Sequence, residues 1–592
     1  MECCTILEQI RIHQEESTES MLVGITDITV LISYQNIIVN NLENYDESGP
    51  DLDEKQRNSI IQKKAKRWLS KNYTSGNKVK FLIDGEKTFE SMVYAIRRAE
   101  GLEDFIYFAN WKMDIELSLI PNDPSTKLEN LIISANKKKV EVRALLSNDI
   151  LGNHPIKKGK NNITKSHKKL FNSLKYGSFI ADKNFLILGI HHQKLLIVKA
   201  QNSLIAFCGG VDFAEDRIPD PKKPGCPSSL HDVHCKIEGP AARVLLKTFE
   251  ERWMDHPQKP KKNYDLRSQM KVFRDKSFIV PLPASMYVKI GRTYGNGKKQ
   301  NQRVSSVRRG HTRAATSLHK INPSPTPGIV NMTLQMMGGF VLAAQPQAMK
   351  YINSEIKSAS GHKYYTFAPC GEKTSWETIK HAILQAKKFI YVEEQYLLSL
   401  DAAKLLNSQL RRNNQLKIII LIPDSRITTD LFTPFYLRAR FIKILTKNVG
   451  GYPNARVAIC YRNIRKHHNY VHSKIWIFDD EFAIIGSANC NNRGYTHDSE
   501  VVAGIFDPKS SSRTHFAKNL RMKLWQEHLN VSDQDVNDPM SSHIWNKWKR
   551  PLPSTNIVPV YESELRIKDN DPRINPLGTS VLSTGQIDPR GD

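Results

Sequence analysis

The sequence contains no CxxC pair, no zinc-ligand spacing and no dense cysteine cluster. Its eight cysteines, Cys3, Cys4, Cys208, Cys226, Cys235, Cys370, Cys460 and Cys490, are scattered through 592 residues. This excludes a disulfide-stapled scaffold and a structural zinc domain, and it fits a reducing compartment. No apolar run reaches the ~18 residues of a membrane-spanning helix. The nearest stretch, residues 21–39, is interrupted by Asp27 and rich in β-branched residues, so it reads as strands. The opening MECCTILEQIRIHQEES lacks the basic-then-apolar pattern of a signal peptide. A cytoplasmic or peripheral-membrane location is therefore expected, with export as a signal-less effector the other route. With 40% hydrophobic and 25% charged residues, wholesale disorder and collagen-like folds are also excluded.

Acidic residues are scarce beside basic ones: 60 Asp and Glu against 86 Lys and Arg give a formal net charge of +26. Such a chain is drawn to phosphate-rich surfaces, whether nucleic acid or anionic lipid. Residues 152–170 carry six lysines and no acid, and residues 291–320 carry eight Lys or Arg and no acid. Rich in Gly, Ser and Asn, both read as solvated loops, compatible with a basic rim around an active-site mouth.

What the sequence does contain is a repeat. Residues 85–111, GEKTFESMVYAIRRAEGLEDFIYFANW, parallel residues 371–396, GEKTSWETIKHAILQAKKFIYVEEQY. Each copy has Gly-Glu-Lys-Thr, a helix-period segment and an aromatic strand, and each Thr (Thr88, Thr374) is expected to be a helix N-cap. A second strand follows in each (VEVRALLSN, LKIIILIPD), and a third begins with the motifs described next. Gly85 precedes His192 by 107 positions and Gly371 precedes His472 by 101. Alternating strands and helices predict an α/β fold: two pseudo-twofold-related domains with mixed, parallel-rich sheets flanked by helices. The expected organisation is an accessory segment (1–77), a first half (78–290), a basic linker (291–330), a second half (331–530) and a partly irregular extension (531–592). The duplication makes a monomer with an internal pseudo-dimer the natural unit.

The chemistry lies in paired peptides, HHQKLLIVK at 191–199 and VHSKIWIFD at 471–479. In a strand, residues i and i+2 share a face, so His192 projects with Lys194 and His472 with Lys474. Each strand runs to a small-residue turn, with Gly209 and Gly210 in the first copy and Ser487 and Asn489 in the second. Backbone amides and the Ser487 and Asn489 side chains could there approach an anion as a substrate-binding surface. Two histidines and two lysines suit two-step phosphodiester cleavage: a neutral imidazole attacks phosphorus while a protonated one donates to the leaving oxygen. The ammonium groups would neutralise the non-bridging oxygens, so no metal and no other cofactor is expected.

These peptides resemble the phospholipase D superfamily, whose signature is a duplicated H-x-K-x(4)-D. The second copy, His472, Lys474 and Asp479, matches fully and runs into GSANCNNRGYTHDSE; the first departs, with Lys199 in the Asp position. HHQKLLIV, AFCGGVDFAEDR and LHDVHCKIEGPAARVLLKTFEERW are similar to the corresponding segments of phosphatidylcholine-type phospholipases D. The resemblance covers roughly residues 78–530. It implies one active site at the interface of two α/β domains and a phosphohistidine intermediate on His192, with His472 as general acid and then base. Each histidine needs an orienting acceptor, for which the second half offers Glu500 and the first Asp232. By strand parity Asp479 and Lys199 fall off the reacting face, as structural residues. Trp111, Gln395 and Tyr396 follow equivalent strands and line either the entrance or the core.

The expected activity is hydrolysis of a glycerophospholipid to phosphatidic acid, with transphosphatidylation as a variant. The alternatives are a nuclease of the same superfamily and a catalytically impaired membrane-binding protein. The expected partner is an anionic phospholipid surface, with nucleic acid as the competing one.

Overall fold

The computed structural model describes residues 53–560, apart from 149–164, 184–188, 219–229, 258–259, 261–262, 271–272, 274–277, 297–364, 425–434, 453–454, 464–469 and 509–514. The strand-like stretch at 21–39, most of both basic stretches and the tail beyond 560 thus lie outside the described residues. Two compact units divide the chain: Met1–Arg67 with Lys509–Arg513, and Trp68–Pro508 with Thr514–Asp592. The first contributes most of helix α1 (Glu54–Leu69). Everything below concerns the second.

Its first half begins with β1 (Thr74–Ile83), α2 (Asp84–Arg97), β2 (Phe105–Asn110), α3 (Leu128–Lys137) and β3 (Glu141–Ser147). It continues with α4 (Lys165–Ser173), β4 (Gly177–Asp182), β5 (Lys194–Ala200) and β6 (Ser203–Gly209). It closes with β7 (Leu230–His231), β8 (Val233–Glu238) and α5 (Pro240–Asp255). The second half opens with β9 (Met286–Tyr294), β10 (Glu372–Lys373), α6 (Thr374–Gln385), β11 (Phe389–Glu394) and α7 (Leu400–Arg412). Then come β12 (Lys417–Ile422), α8 (Phe435–Leu445), β13 (Val457–Arg462), β14 (Tyr470–Val471) and β15 (Lys474–Phe478). β16 (Phe482–Gly486), α9 (Asn492–Thr496), β17 (Glu500–Phe506), α10 (Phe516–Leu529), α11 (Ser542–Lys549) and β18 (Ile557–Pro559) complete it.

Both halves lie in one mixed sheet whose order is nearly palindromic. Outward from the β1/β9 seam, one arm reads β1-β8-β6-β5-β2-β3-β4 and the other β9-β17-β16-β15-β11-β12-β13-β18. β2, β3 and β4 are parallel, as are β11, β12 and β13, while the strands nearer the seam are antiparallel. The pseudo-twofold α/β architecture expected from the repeat is what forms. β2 shows how alternation builds the layers. Phe105, Tyr107 and Ala109 join a core with Phe249 and Trp253 of α5 and Leu524 and Trp525 of α10. Ile106 and Phe108 join another with Phe89 of α2 and Leu131 of α3.

Several local expectations differ from what forms. Thr88 is not an N-cap but sits inside α2, its hydroxyl donating to the Asp84 carbonyl at 2.8 Å. Thr374 is the first residue of α6 rather than its cap, bonding instead to Glu372 at 2.6 Å. The motif strands are not third in their halves, because β4 and β13 precede them; their short mixed sequences gave too little alternation to be read. Residues 165–170 are not a loop: they open α4, which buries His167 and Leu170. Strand β9 crosses position 291, and its counterpart β1 starts four residues ahead of 78.

Candidate active site

Both motif strands begin where a neighbouring strand ends, with Lys194 of β5 opposite Asn110 of β2 and Lys474 of β15 opposite Glu394 of β11. The histidine two residues earlier has just left the sheet, and its backbone is caught by the other half. His192 N–H donates to the Ser499 carbonyl at 2.9 Å, and His472 N–H to the His231 carbonyl at 2.8 Å. The parallel pairing of β7 with β14 and the His191–Ser499 bridge are the two straps that make this exchange.

The side chains cross in the same way. His192 Nδ1 lies 2.9 Å from Glu500 Oε1 and 3.1 Å from the Ser487 carbonyl. A carbonyl only accepts, so Nδ1 carries the proton and Nε2 keeps its lone pair. His472 Nδ1 lies 2.7 Å from Asp232 Oδ2, while Arg217 Nη2 points at Nε2 from 3.4 Å. A guanidinium only donates, so His472 too holds its proton on Nδ1. Glu500 of the second half thus serves the first motif, and Asp232 of the first half serves the second.

Burial dominates the electrostatics. It holds both imidazoles well below the usual histidine range, helped for His192 by Lys194 and Lys474, and for His472 by Lys474 and Arg217. Burial also raises Glu500 well above an ordinary carboxylate and pushes Asp232 up to about 6. Lys474 is lowered to about 8, and Lys194 is lowered as well. Lys194 Nζ donates to the His192 carbonyl at 2.8 Å and stands 3.5 Å from Asp212. Lys474 Nζ donates to Gln395 Oε1 at 3.0 Å and to the His472 carbonyl.

The small-residue turns serve these groups more than they line a surface. A Cβ on Gly210 would fall 1.9 Å from Asp232 Oδ1, and one on Gly209 2.5 Å from the His234 backbone. Gly210 therefore makes room for the acid that orients His472, and Gly209 for the Val233–His234 backbone beside it. Ser487 is wholly buried, and its hydroxyl donates to Glu500. Asn489, buried with its Oδ1 unpartnered among the described residues, remains available for a ligand.

Asp479 lies away from the cluster, its carboxylate accepting the N–H groups of Lys387, Lys388 and Phe389 at 2.7, 2.8 and 2.9 Å. The first half meets the same need with reversed polarity: Asp104, just before β2, takes the N–H groups of Glu100 and Gln201, and Lys199 pairs with it at 2.6 Å.

Sequence reasoning missed Asp212 and Arg217. Asp212 bonds Arg217 Nη2 at 3.2 Å beside Lys194. Laying GGVD over GSAN would have set Asp212 opposite Asn489. Trp111, half-buried, has its ring 5.6 Å from that of His192. Trp111 and Gln395 therefore both belong to the site's surroundings.

The residues best able to surround a metal are His231, Glu393 and His528, behind the β7/β14 strap. Glu393 Oε2 already accepts from His231 at 3.0 Å and Ser473 at 2.6 Å, and Oε1 from Tyr391 at 2.7 Å and His528 at 2.9 Å. Four donors satisfy the carboxylate fully, so the cluster works as a hydrogen-bonded anchor.

A family model described as phospholipase D matches residues 453–589. Phospholipase D gamma 1 of Arabidopsis thaliana is 24% identical, over 76% of this chain and 63% of its own. Phospholipase D alpha 1 of Ricinus communis is 23% identical, over 63% of this chain and 53% of its own. The chain thus spans about six-tenths of the length of such relatives. Among solved structures, the phosphatidylserine synthase of Haemophilus influenzae Rd KW20 aligns with a TM-score of 0.44 at 12% identity, covering 76% of this chain and 87% of that one. In its duplicated motif, its matched family model and these relatives the chain is similar to the phospholipase D superfamily.

Proposed function

We propose that the protein is a phospholipase D, cleaving the distal phosphodiester bond of a glycerophospholipid to phosphatidic acid and free head group, with water or an alcohol as acceptor. The observation that carries this is the crossed site: two buried imidazoles, each held through Nδ1 by the other half's carboxylate, with Nε2 turned away from it and two buried lysines alongside. In the first step His192 Nε2 attacks phosphorus. The P–N bond forms, the bond to the head-group oxygen breaks, and that oxygen takes the proton from His472 Nε2. In the second, His472 removes a proton from water, the oxygen bonds phosphorus, and the P–N electron pair returns to His192. Lys194 and Lys474 neutralise the non-bridging oxygens, a contribution of several kcal/mol in a preorganised site (on the order of 3 kcal/mol per donor). His472 is held neutral in the free protein, and an arriving phosphodiester anion offsets the surrounding cations and lets it take up the proton it must later give.

The net positive charge supports a peripheral approach to an anionic phospholipid surface. Product analysis on mixed phospholipid vesicles, with single-stranded DNA in parallel, tests the reading. Phosphatidic acid with intact DNA is expected, and cut DNA with untouched lipid would transfer the site to nucleic acid. Turnover of a soluble short-chain phospholipid is expected to survive EDTA. Loss restored by a divalent ion would show that the lysines do not carry the neutralisation.

A further inference from the structure

Arg217 is a cation at His472 that neither motif contains. It stands on the turn after β6, 3% exposed, and its guanidinium is spread over three groups. Nη1 donates to Asp216 at 2.7 Å, and Nη2 faces Asp212 Oδ2 at 3.2 Å and His472 Nε2 at 3.4 Å. Nε is buried without a hydrogen-bond partner among the described residues, its nearest carboxylate oxygen being Asp232 Oδ2 at 3.9 Å. A buried donor left unmade costs free energy, so a site that keeps one has reason to expect an acceptor. The backbone is held as firmly as the side chain. A Cβ on Gly85 would fall 1.8 Å from the Arg217 carbonyl oxygen, so the first glycine of the repeated GEKT peptide is there to let this turn close.

The contact with His472 has a consequence. Nε2 can accept from Arg217 only while it holds no proton, yet the leaving-group proton must be donated from that atom. Imidazole nitrogen at 3.4 Å is a weak acceptor, whereas a phosphodiester oxygen carries charge and takes the charge-assisted bonds that guanidinium makes best. We propose that Arg217 is a phosphate-binding catalytic residue that passes its bond from His472 Nε2 to a non-bridging oxygen of the bound phosphodiester, freeing Nε2 to take a proton. This rests on the phosphodiesterase reading above. The charged and titratable groups around His472 are Asp232 on Nδ1, Lys474 at 3.3 Å, Arg217, Lys194 and His192. Of these, only Arg217 bonds to Nε2 among the described residues.

The test uses the full chain with inorganic phosphate as probe, its affinity read by calorimetry and by thermal protection, alongside kcat against pH on a soluble short-chain phospholipid. Arg217→Gln is expected to weaken phosphate binding about tenfold or more. It should also move the alkaline limb of kcat about one unit upward, because a cation beside the proton-carrying imidazole is gone. Arg217→Lys, which keeps the charge without the planar fork, should hold the limb in place and lose less affinity. It also serves if the Gln variant does not fold. Phosphate binding unchanged in both variants, or lowered kcat with an unmoved limb in Arg217→Gln, would overturn the proposal. Failure of the phosphodiesterase reading looks different: His192→Asn would retain turnover, while phosphate binding would still report on Arg217.

Discussion

Substituting His192 or His472 by Asn is expected to lower turnover about a thousandfold or more, and the double variant should add little, because in the proposed mechanism nucleophile and proton donor act as one unit. Steady-state kinetics on a soluble substrate, with acid-quenched labelled substrate to look for phosphate on His192, would check this. Substantial activity in His192→Asn would remove that residue from the first step. Lys199 gives the contrasting case. It occupies the position where the other motif has Asp479, and it is buried against Asp104 with both side chains about 2% exposed. Lys199→Ala leaves that carboxylate without its ion-pair partner, so a loss of about 3 kcal/mol in stability is expected. Because the pair sits at the far end of β5 from Lys194, kcat should hold, and urea unfolding run beside kinetics separates the two effects. His234 offers a pH readout. Burial holds it neutral down to about 3, so the unfolded chain binds its proton first. The stability it contributes is whole above 6.5 and drains as pH falls from there toward 3. His234→Asn, which keeps an acceptor for the Val211 N–H, should flatten the acid side of the unfolding-versus-pH curve; an unchanged slope would assign the acid sensitivity elsewhere.

At the scale of elements, the turn closing β6 is built to tolerance. Gly210→Ala would drive a methyl into Asp232 and shift the acid on which His472 depends. Misplacement of that order costs about a hundredfold in rate, so kcat should fall while circular dichroism stays native. Wild-type kcat would mean that Asp232 does not orient His472. The motif strands were legible because their information is local: parity places His192 with Lys194, and the apolar run after each lysine marks a buried strand. The partnership of Glu500 with His192 was not legible, because 308 residues separate them and the straps that join the halves are pairings of one or two residues without any periodicity. Arg217 was hidden for a related reason, standing in an irregular turn whose shape depends on Gly85, more than a hundred residues earlier.

For the whole molecule, the duplicated chemistry and the palindromic sheet come from the same repeat, and the repeat could be read because both copies kept Gly-Glu-Lys-Thr and an aromatic strand. The accessory segment and the basic insert carry no such internal comparison, so their composition spoke only of charge. The membrane reading predicts that binding to anionic vesicles weakens steeply as the Debye length shrinks from ~30 Å at 0.01 M salt to ~8 Å at 0.15 M. Turnover of a monomeric short-chain lipid should scarcely change over that range. Vesicle binding indifferent to salt would mean that the net charge of +26 does not steer the protein to its surface.

The crossing of histidines and acids also bears on ancestry. Two identical copies of one half, related by the β1/β9 seam, would each lend an acid to the other's histidine, so an unfused ancestor could have worked only as a pair. Fusion of such a pair would release the copies from identity while keeping them mutually dependent. One now holds Lys199 with Asp104 where the other holds Asp479, and one holds Asp212 where the other holds Asn489. Each difference gives two histidines of like setting separate neighbours, and with them the freedom to take separate tasks.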